Sequence, residues 1–159
     1  MTSKIVVIGS GAREHALVRA LARGEEREIV AIPGNAGIAR EVRCVPSAAS
    51  ARALAAAASA EEPALVVVGP EAPLAEGLAD RLEEAGVPCF GPSAAAARIE
   101  ASKAFAKDVM AKAGVPTAQA AVFDDPAKAK AHARGACVVK LDGLAAGRQP
   151  VSAGNACIR

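Results

Sequence analysis

Residues 4–16 read KIVVIGSGAREHA, and the fold turns on how they are read. Lys4-Ile-Val-Val-Ile8 is a short, unbroken, β-branched apolar run, the pattern of a strand buried on both faces. Gly9-Ser10-Gly11 breaks it. The residues that follow predict a helix over 12–23, with Ala16, Leu17, Ala20 and Leu21 on one face and Arg13, Arg19 and Arg23 off it. A strand feeding a glycine turn and then a helix is the first half of a parallel βαβ unit.

The alternation continues along the chain. Residues 28–32 predict a second strand, closed by the turn Pro33-Gly34-Asn35-Ala36-Gly37, and residues 42–45 a weaker third. The alanine-rich run SARALAAAASA over 50–60 predicts a helix on intrinsic propensity. Residues 64–68 predict a buried strand ending in Gly69-Pro70-Glu71. Residues 74–85 predict a helix through Leu74, Leu78 and Leu82, stopped by Gly86, and 87–90 another short strand. The implied fold class is α/β, a parallel sheet with helices on both faces. Ligands of such sheets sit beyond the carboxyl ends of the strands. The turns at Gly9–Gly11, Pro33–Gly37 and Gly69–Glu71 all fall at those ends, on one rim.

Beyond Gly91-Pro92 the pattern changes. Helices are expected over 102–113 and 126–134, and strands over 117–123 and 136–140, as the beginning of an incomplete α+β unit with a boundary near residue 100. An apolar face of Phe105, Val109 and Met110 is expected to lack partners and to favour association.

Composition excludes several classes of function. With 52% hydrophobic and 23% charged residues the chain can bury a core and stay soluble. A net charge of +2 with no basic run among aromatics argues against nucleic acid as a partner. The apolar run at the N-terminus is too short for a signal peptide or a membrane span. Cys44, Cys89, Cys137 and Cys157 are widely spaced and fit buried small hydrophobes in a reducing cytosol better than a zinc site or disulfide framework. A cytoplasmic protein is expected.

The motifs point to phosphate chemistry. Gly9-Ser-Gly11-Ala-Arg13-Glu14 resembles a dinucleotide turn, but glutamate stands where the third glycine belongs, and no acid follows the second strand to hold a ribose hydroxyl. A nicotinamide oxidoreductase is therefore disfavoured, although a glycine turn opening onto a helix still suits a phosphate. The same turn could serve only strand–helix packing. His15 reads as a structural helical histidine. Glu71 could accept hydrogen bonds from hydroxyls or an amine, or simply cap the helix after it. Lys140, at a strand end before Asp142-Gly143-Leu-Ala-Ala-Gly147, could meet nucleotide phosphates, joined by Lys107 if its helix packs alongside.

Six collinear motifs, GSGAREHA (9–16), PGNAG (33–37), VVVGPEAPL (66–74), FGPS (90–93), SKAFAKDVMAKAGVPTA (102–118) and VVKLDGLAAG (138–147), resemble the glycinamide ribonucleotide synthetase family of ATP-grasp ligases. The resemblance implies ATP-dependent joining of glycine to 5-phosphoribosylamine through a glycyl phosphate, with Mg2+, or Mn2+ in its place, neutralising the phosphates. It implies a substrate-side domain over 1–100 and the start of an ATP-grasp subdomain over 101–147. Gly9, Gly11, Arg13, Glu14, Gly34, Asn35, Gly37 and Glu71 would face the ribose phosphate, and Lys107, Lys140, Gly143 and Gly147 the ATP. No catalytic residue is identifiable in this stretch, and the acidic metal ligands are expected beyond it. Residues 148–159 depart from the family pattern. The family loop continues as glycine, lysine and glycine and then a strand of valines, whereas here it reads Gly147-Arg148-Gln149-Pro150. SAGNACIR shows neither strand nor helix periodicity, so an aberrant tail from a shifted frame or truncated gene is expected, with a genuine alternative loop ending as the other reading. The chain alone is expected not to turn over. The alternative function is a non-catalytic sugar-phosphate-binding domain.

Overall fold

The computed structural model describes residues 3–23, 27–133, 137–144, 152–154 and 156–158. They fall into two compact units, Met1–Ala97 and Arg98–Arg159.

The first unit contains β1 (Ser3–Gly9), α1 (Ala12–Leu21), β2 (Arg27–Pro33), β3 (Arg43–Cys44), α2 (Ala51–Ser59), β4 (Leu65–Val68), α3 (Glu71–Ala75), α4 (Leu78–Glu84) and β5 (Cys89–Phe90). A 3-10 turn at Ile38–Arg40 lies between β2 and β3. The sheet is five-stranded, in the order β3-β2-β1-β4-β5, and every pairing is parallel. Side chains of successive strand residues point to opposite faces, and both faces are covered. Val6, Ile8, Val30, Ile32, Val66 and Val68 pack on one side against Leu54, Leu74, Leu78 and Leu82 of α2, α3 and α4. Ile5, Val7, Ile29, Ala31 and Val67 pack on the other against Val18 of α1 and Ile38. This explains why the central strands read as continuous apolar runs rather than as alternation.

Local differences from the sequence reading have physical causes. The helix expected over 74–85 is two helices, because Gly77 takes φ +84°, a left-handed conformation that cannot continue a helix. Leu74, Leu78 and Leu82 are nevertheless all buried. On α1 the buried positions are Glu14 and Val18, with Leu17 and Leu21 packed beside them, whereas Ala16 and Ala20 are exposed. Cys44 and Cys89 are half-buried.

A charge cluster lies at the opposite end of the sheet from the glycine turns. Arg43 Nη1 donates to Glu61 Oε1 at 3.0 Å, Arg43 Nη2 contacts Glu61 Oε2, and Lys4 Nζ donates to the Glu61 carbonyl at 2.7 Å. The hydrogen bond from Arg43 holds the Glu61 carboxyl below its ordinary range, opposed by desolvation and assisted by Lys4. A carboxyl with a depressed folded-state pKa adds stability above its unfolded value, and that stability is lost as pH falls through the folded value. Glu61→Gln should therefore lower the urea midpoint at pH 7, and its gap from the parent chain should close on acidification. A gap that does not change with pH would assign the effect to packing instead.

In the second unit, α5 (Ala94–Ala101) spans the boundary and was not expected from the sequence. It is followed by α6 (Lys103–Lys112), β6 (Val122–Phe123), α7 (Pro126–His132), β7 (Cys137–Leu141), β8 (Ser152–Gly154) and β9 (Ala156–Ile158). The sheet order is β6-β9-β7-β8, with β9 parallel to β6 and β7 and β8 antiparallel to β7. The tail expected to lack regular structure thus contributes two strands. Each has three residues, too few to display alternation, and Pro150 precedes them, so its missing N–H interrupts neither. Phe105, Val109 and Met110 are half-buried, and the Arg98 guanidinium lies 4.0 Å from the Phe105 ring centroid. Among the described residues of this unit the exposed apolar side chains are others, with Leu141 the most open at 68%.

Candidate functional site

The register sets the loops of the first rim side by side. Gly9 pairs with Pro33 across β1 and β2, and Ile8 with Val68 across β1 and β4. The chain leaves all three strands at one edge, and the exits are laced together. Gly34 N donates to Gly9 O at 3.2 Å, Gly69 N to Ile8 O at 3.1 Å, and Asn35 Nδ2 to Ser10 O at 2.7 Å.

Glu14 lies at the centre of this lacing. It is the third residue of α1, and its side chain turns back so that Oε2 accepts from Gly11 N at 2.6 Å, satisfying a donor that the helix start leaves free. The residue is only 4% exposed. Three glycines wall it in: a Cβ on Gly9, Gly11 or Gly69 would stand 2.5, 2.7 or 2.2 Å from its nearest Glu14 atom. Oε1 is buried without a hydrogen bond, and its counter-charge is Arg13 Nε at 3.5 Å. The position that breaks the dinucleotide motif is therefore a carboxylate built into the rim.

Arg13 extends from this core toward solvent, with its side chain 67% exposed, and its Nη2 reaches Glu71 Oε2 at 3.3 Å. Glu71 is the first residue of α3, where its charge lies at the helix start, but its side chain makes no capping hydrogen bond and Pro70 holds the cap position. Asn35 Oδ1 accepts from Gly37 N at 2.7 Å and Ile38 N at 2.9 Å, which fixes the second turn. His15 pairs through Nε2 with Glu41 at 2.8 Å, a structural contact. The rim thus presents the Arg13 guanidinium and the Glu71 carboxylate, while Glu14, the other partner of Arg13, is buried. That arrangement can accept hydrogen bonds from hydroxyls or an amine while offering one cation.

The second cluster lies within the second unit. Lys140 is exposed on β7, and Gly143 follows with φ +99°. Lys107 Nζ donates to Thr117 Oγ1 at 2.7 Å and to the Ala118 carbonyl, so its ammonium is engaged with the segment after its own helix rather than with Lys140. Gly147 lies outside the described residues. Sequence reasoning missed Asp142. Its Oδ1 accepts from Lys103 N at 2.6 Å and Ala104 N at 3.3 Å, and its Oδ2 from Ser102 Oγ at 2.9 Å. Lys103 Nζ adds a bond to Gly143 O at 2.7 Å. Ser102 could be read as an N-cap from its place before the helix, but nothing local in the sequence marks Asp142 as its partner.

Among the described residues no group of three or more His, Cys, Asp or Glu side chains could hold a metal ion. None of the described helices is long and apolar enough to cross a membrane. A groove of about 540 Å³ on the first unit is lined by Ala79, Glu83, Val87, Cys89 and Ser93 among others, and it includes none of the expected site residues.

Comparison with known proteins bears on both clusters. A family model described as phosphoribosylglycinamide synthetase, N domain, matches residues 3–100, and one described as phosphoribosylglycinamide synthetase, ATP-grasp (A) domain, matches 101–155. The second match runs through most of the tail. A phosphoribosylamine–glycine ligase of Streptomyces coelicolor is 56% identical over 155 residues, covering 91% of this chain and 36% of the relative. The crystal structure of a phosphoribosylamine–glycine ligase from Thermotoga maritima superposes with a TM-score of 0.71 at 29% identity, covering 96% of this chain and 36% of that one. A biotin carboxylase domain from Hydrogenobacter thermophilus shares the fold at a TM-score of 0.71 and 23% identity, over 98% of this chain and 38% of its own. The chain spans about 36% of the length of the curated relative from Streptomyces.

Proposed function

The chain belongs to the phosphoribosylglycinamide synthetase family, and on that premise we propose that it forms the sugar-phosphate side and the first ATP-side elements of an ATP-dependent carbon–nitrogen ligase. The reaction joins glycine to 5-phosphoribosylamine. The terminal phosphoryl of ATP passes to the glycine carboxylate, and the amine attacks the resulting acyl phosphate. The amide forms as phosphate leaves, with ADP as the other product. The observation that carries this reading is the exposed Arg13–Glu71 pair beside the Asn35–Gly37 turn, with buried Glu14 as the second partner of Arg13, which suits a ligand rich in hydroxyls that also carries an amine.

In this reading Arg13, Asn35, Gly37 and Glu71 face the sugar, while Gly9, Gly11, Gly34 and Glu14 frame them. Lys140 and Gly143 meet ATP phosphates, and Lys107 reaches them by exchanging its contacts with Thr117 and Ala118. The magnesium that accompanies ATP neutralises phosphate charge and is held by residues other than those described here. A second reading, a sugar-phosphate-binding domain without turnover, is favoured by one feature: every rim residue belongs to the first unit, which has its own core on both faces of its sheet.

Ribose 5-phosphate serves as the probe. Calorimetric titration is expected to show binding to the chain, and Arg13→Ala should weaken it by about tenfold, the scale of one charge-assisted hydrogen bond. A parallel assay follows ADP release with ATP, Mg2+, glycine and 5-phosphoribosylamine. Binding without ADP release supports the domain reading for this chain, and substrate-dependent release supports the ligase. A chain that neither binds the probe nor releases ADP would sink both.

A further inference from the structure

Where a glycine turn opens directly onto a helix, its N–H groups and the positive helix end cradle a phosphate, and the glycines let phosphate oxygens approach the backbone. Gly9–Gly11 and α1 have that build, but the cradle already holds an anion. We propose that Glu14 is a specificity determinant, whose buried carboxylate occupies the cradle and closes the β1–α1 turn to phosphate, pyrophosphate and dinucleotides.

Three observations on the same few residues carry the proposal. The Gly11 N–H, a donor that a phosphate would need, is already bonded to Glu14 Oε2 at 2.6 Å. The space that the glycines leave open is filled from within, because even a single carbon atom added to Gly9 or Gly69 would lie 2.5 Å from Glu14 Cγ. The carboxylate also repels a second anion, and Arg13 Nε, 3.5 Å from Oε1, is drawn toward the charge already present. A carboxylate resembles a phosphate in the ways that matter here, being ionised and acceptor-only. A one-residue change from glycine to glutamate thus replaces a ligand's anion with one carried by the chain. This goes beyond the proposed function, since it concerns what the rim refuses. A sugar phosphate bound at Arg13 and Glu71 keeps its phosphate off the Gly9–Gly11 backbone.

The test is titration of inorganic pyrophosphate into 15N-labelled chain, reading the amide shifts of Gly9, Ser10 and Gly11, with affinity from calorimetry. The parent chain should show no shift at these amides. Glu14→Ala should shift them and bind pyrophosphate at least about tenfold more tightly, because a charge-assisted donor and an empty cradle become available together. Glu14→Gln fills the same space without charge and should gain nothing. Shifts at Gly9–Gly11 in the parent chain would overturn the proposal, as would a folded Glu14→Ala that gains no affinity, or a Glu14→Gln that gains as much as the alanine variant. Glu14→Ser replaces the alanine variant if circular dichroism shows that chain unfolded, and the parent and glutamine titrations stand on their own.

Discussion

Gly69→Ala is expected to destabilise the first unit by about 2–3 kcal/mol, the cost of forcing a methyl group into a packed site. A Cβ there would stand 2.2 Å from Glu14 Oε1, 2.5 Å from Cγ and 2.6 Å from Cδ. Such a clash is cheap when only the tip of a mobile side chain must move, but here it reaches into the middle of the glutamate. Glu14 is buried, in close contact with Gly9 as well and held by the Gly11 N–H. Swinging it out would leave that N–H and the carboxylate to find new partners, at about 1–3 kcal/mol for a buried unpaired group. Either response costs a similar amount. The decisive measurement is the double mutant. Glu14→Ala removes the atoms that the new methyl meets, so the Gly69→Ala, Glu14→Ala chain should be more stable than the two single losses predict, by more than about 1 kcal/mol. The chain has no Trp or Tyr, so unfolding in urea is followed by far-ultraviolet circular dichroism. Strict additivity would show that the contact between the β1 and β4 loops does not constrain the rim.

That contact also marks how far the sequence could be read. The strands were legible because a strand buried on both faces must be apolar at every position, as Val6, Val7 and Ile8 are. The rim followed, since parallel strands all end on one side. The meaning of Glu14 was not legible. Beside Gly9 and Gly11 it reads as the loss of a glycine, and only the fold brings Gly69 against it to show that the glycine space is filled rather than missing. The helix at Ala94–Ala101 follows directly on the break at Gly91-Pro92, although its alanines carry the same propensity as those of α2. The strands at 152–154 and 156–158 owe their form to pairing with β7 and β6, and pairing leaves no mark in three residues. For Glu14 and for the two strands, the missing information was a partner distant in the chain.

Asp142 is the same kind of residue in the second unit, and its removal is the other change expected to have a large effect. The helix α6 begins with N–H groups that have no partner within the helix, and Ser102 satisfies one, accepting from Phe105 N at 3.1 Å. Asp142 satisfies two more, at Lys103 and Ala104, and holds the Ser102 hydroxyl in place. Asp142→Ala should therefore cost about 2 kcal/mol, the upper range for losing a helix cap, against about 1 kcal/mol for Ser102→Ala. The pH dependence separates a charge effect from a packing effect. Desolvation raises the Asp142 pKa, but hydrogen bonds from Ser102 and the backbone N–H groups of Ala104, Lys103 and Gly143 outweigh it and hold the carboxyl below its usual range. Its contribution is then fully present above the unfolded value, about 3.9, and fades as pH falls through the lower folded value. Asp142→Asn keeps the shape and cannot titrate, so the parent chain should be more stable than this variant at pH 7 and should approach it at strongly acid pH. Amide hydrogen exchange at Lys103 and Ala104 should quicken in both Asp142 variants at neutral pH. Unchanged exchange there would show that the carboxylate does not cap the helix. Fast exchange would tie the start of the glycine loop, through Asp142 and the Lys103–Gly143 bond, to the helix that carries Lys107.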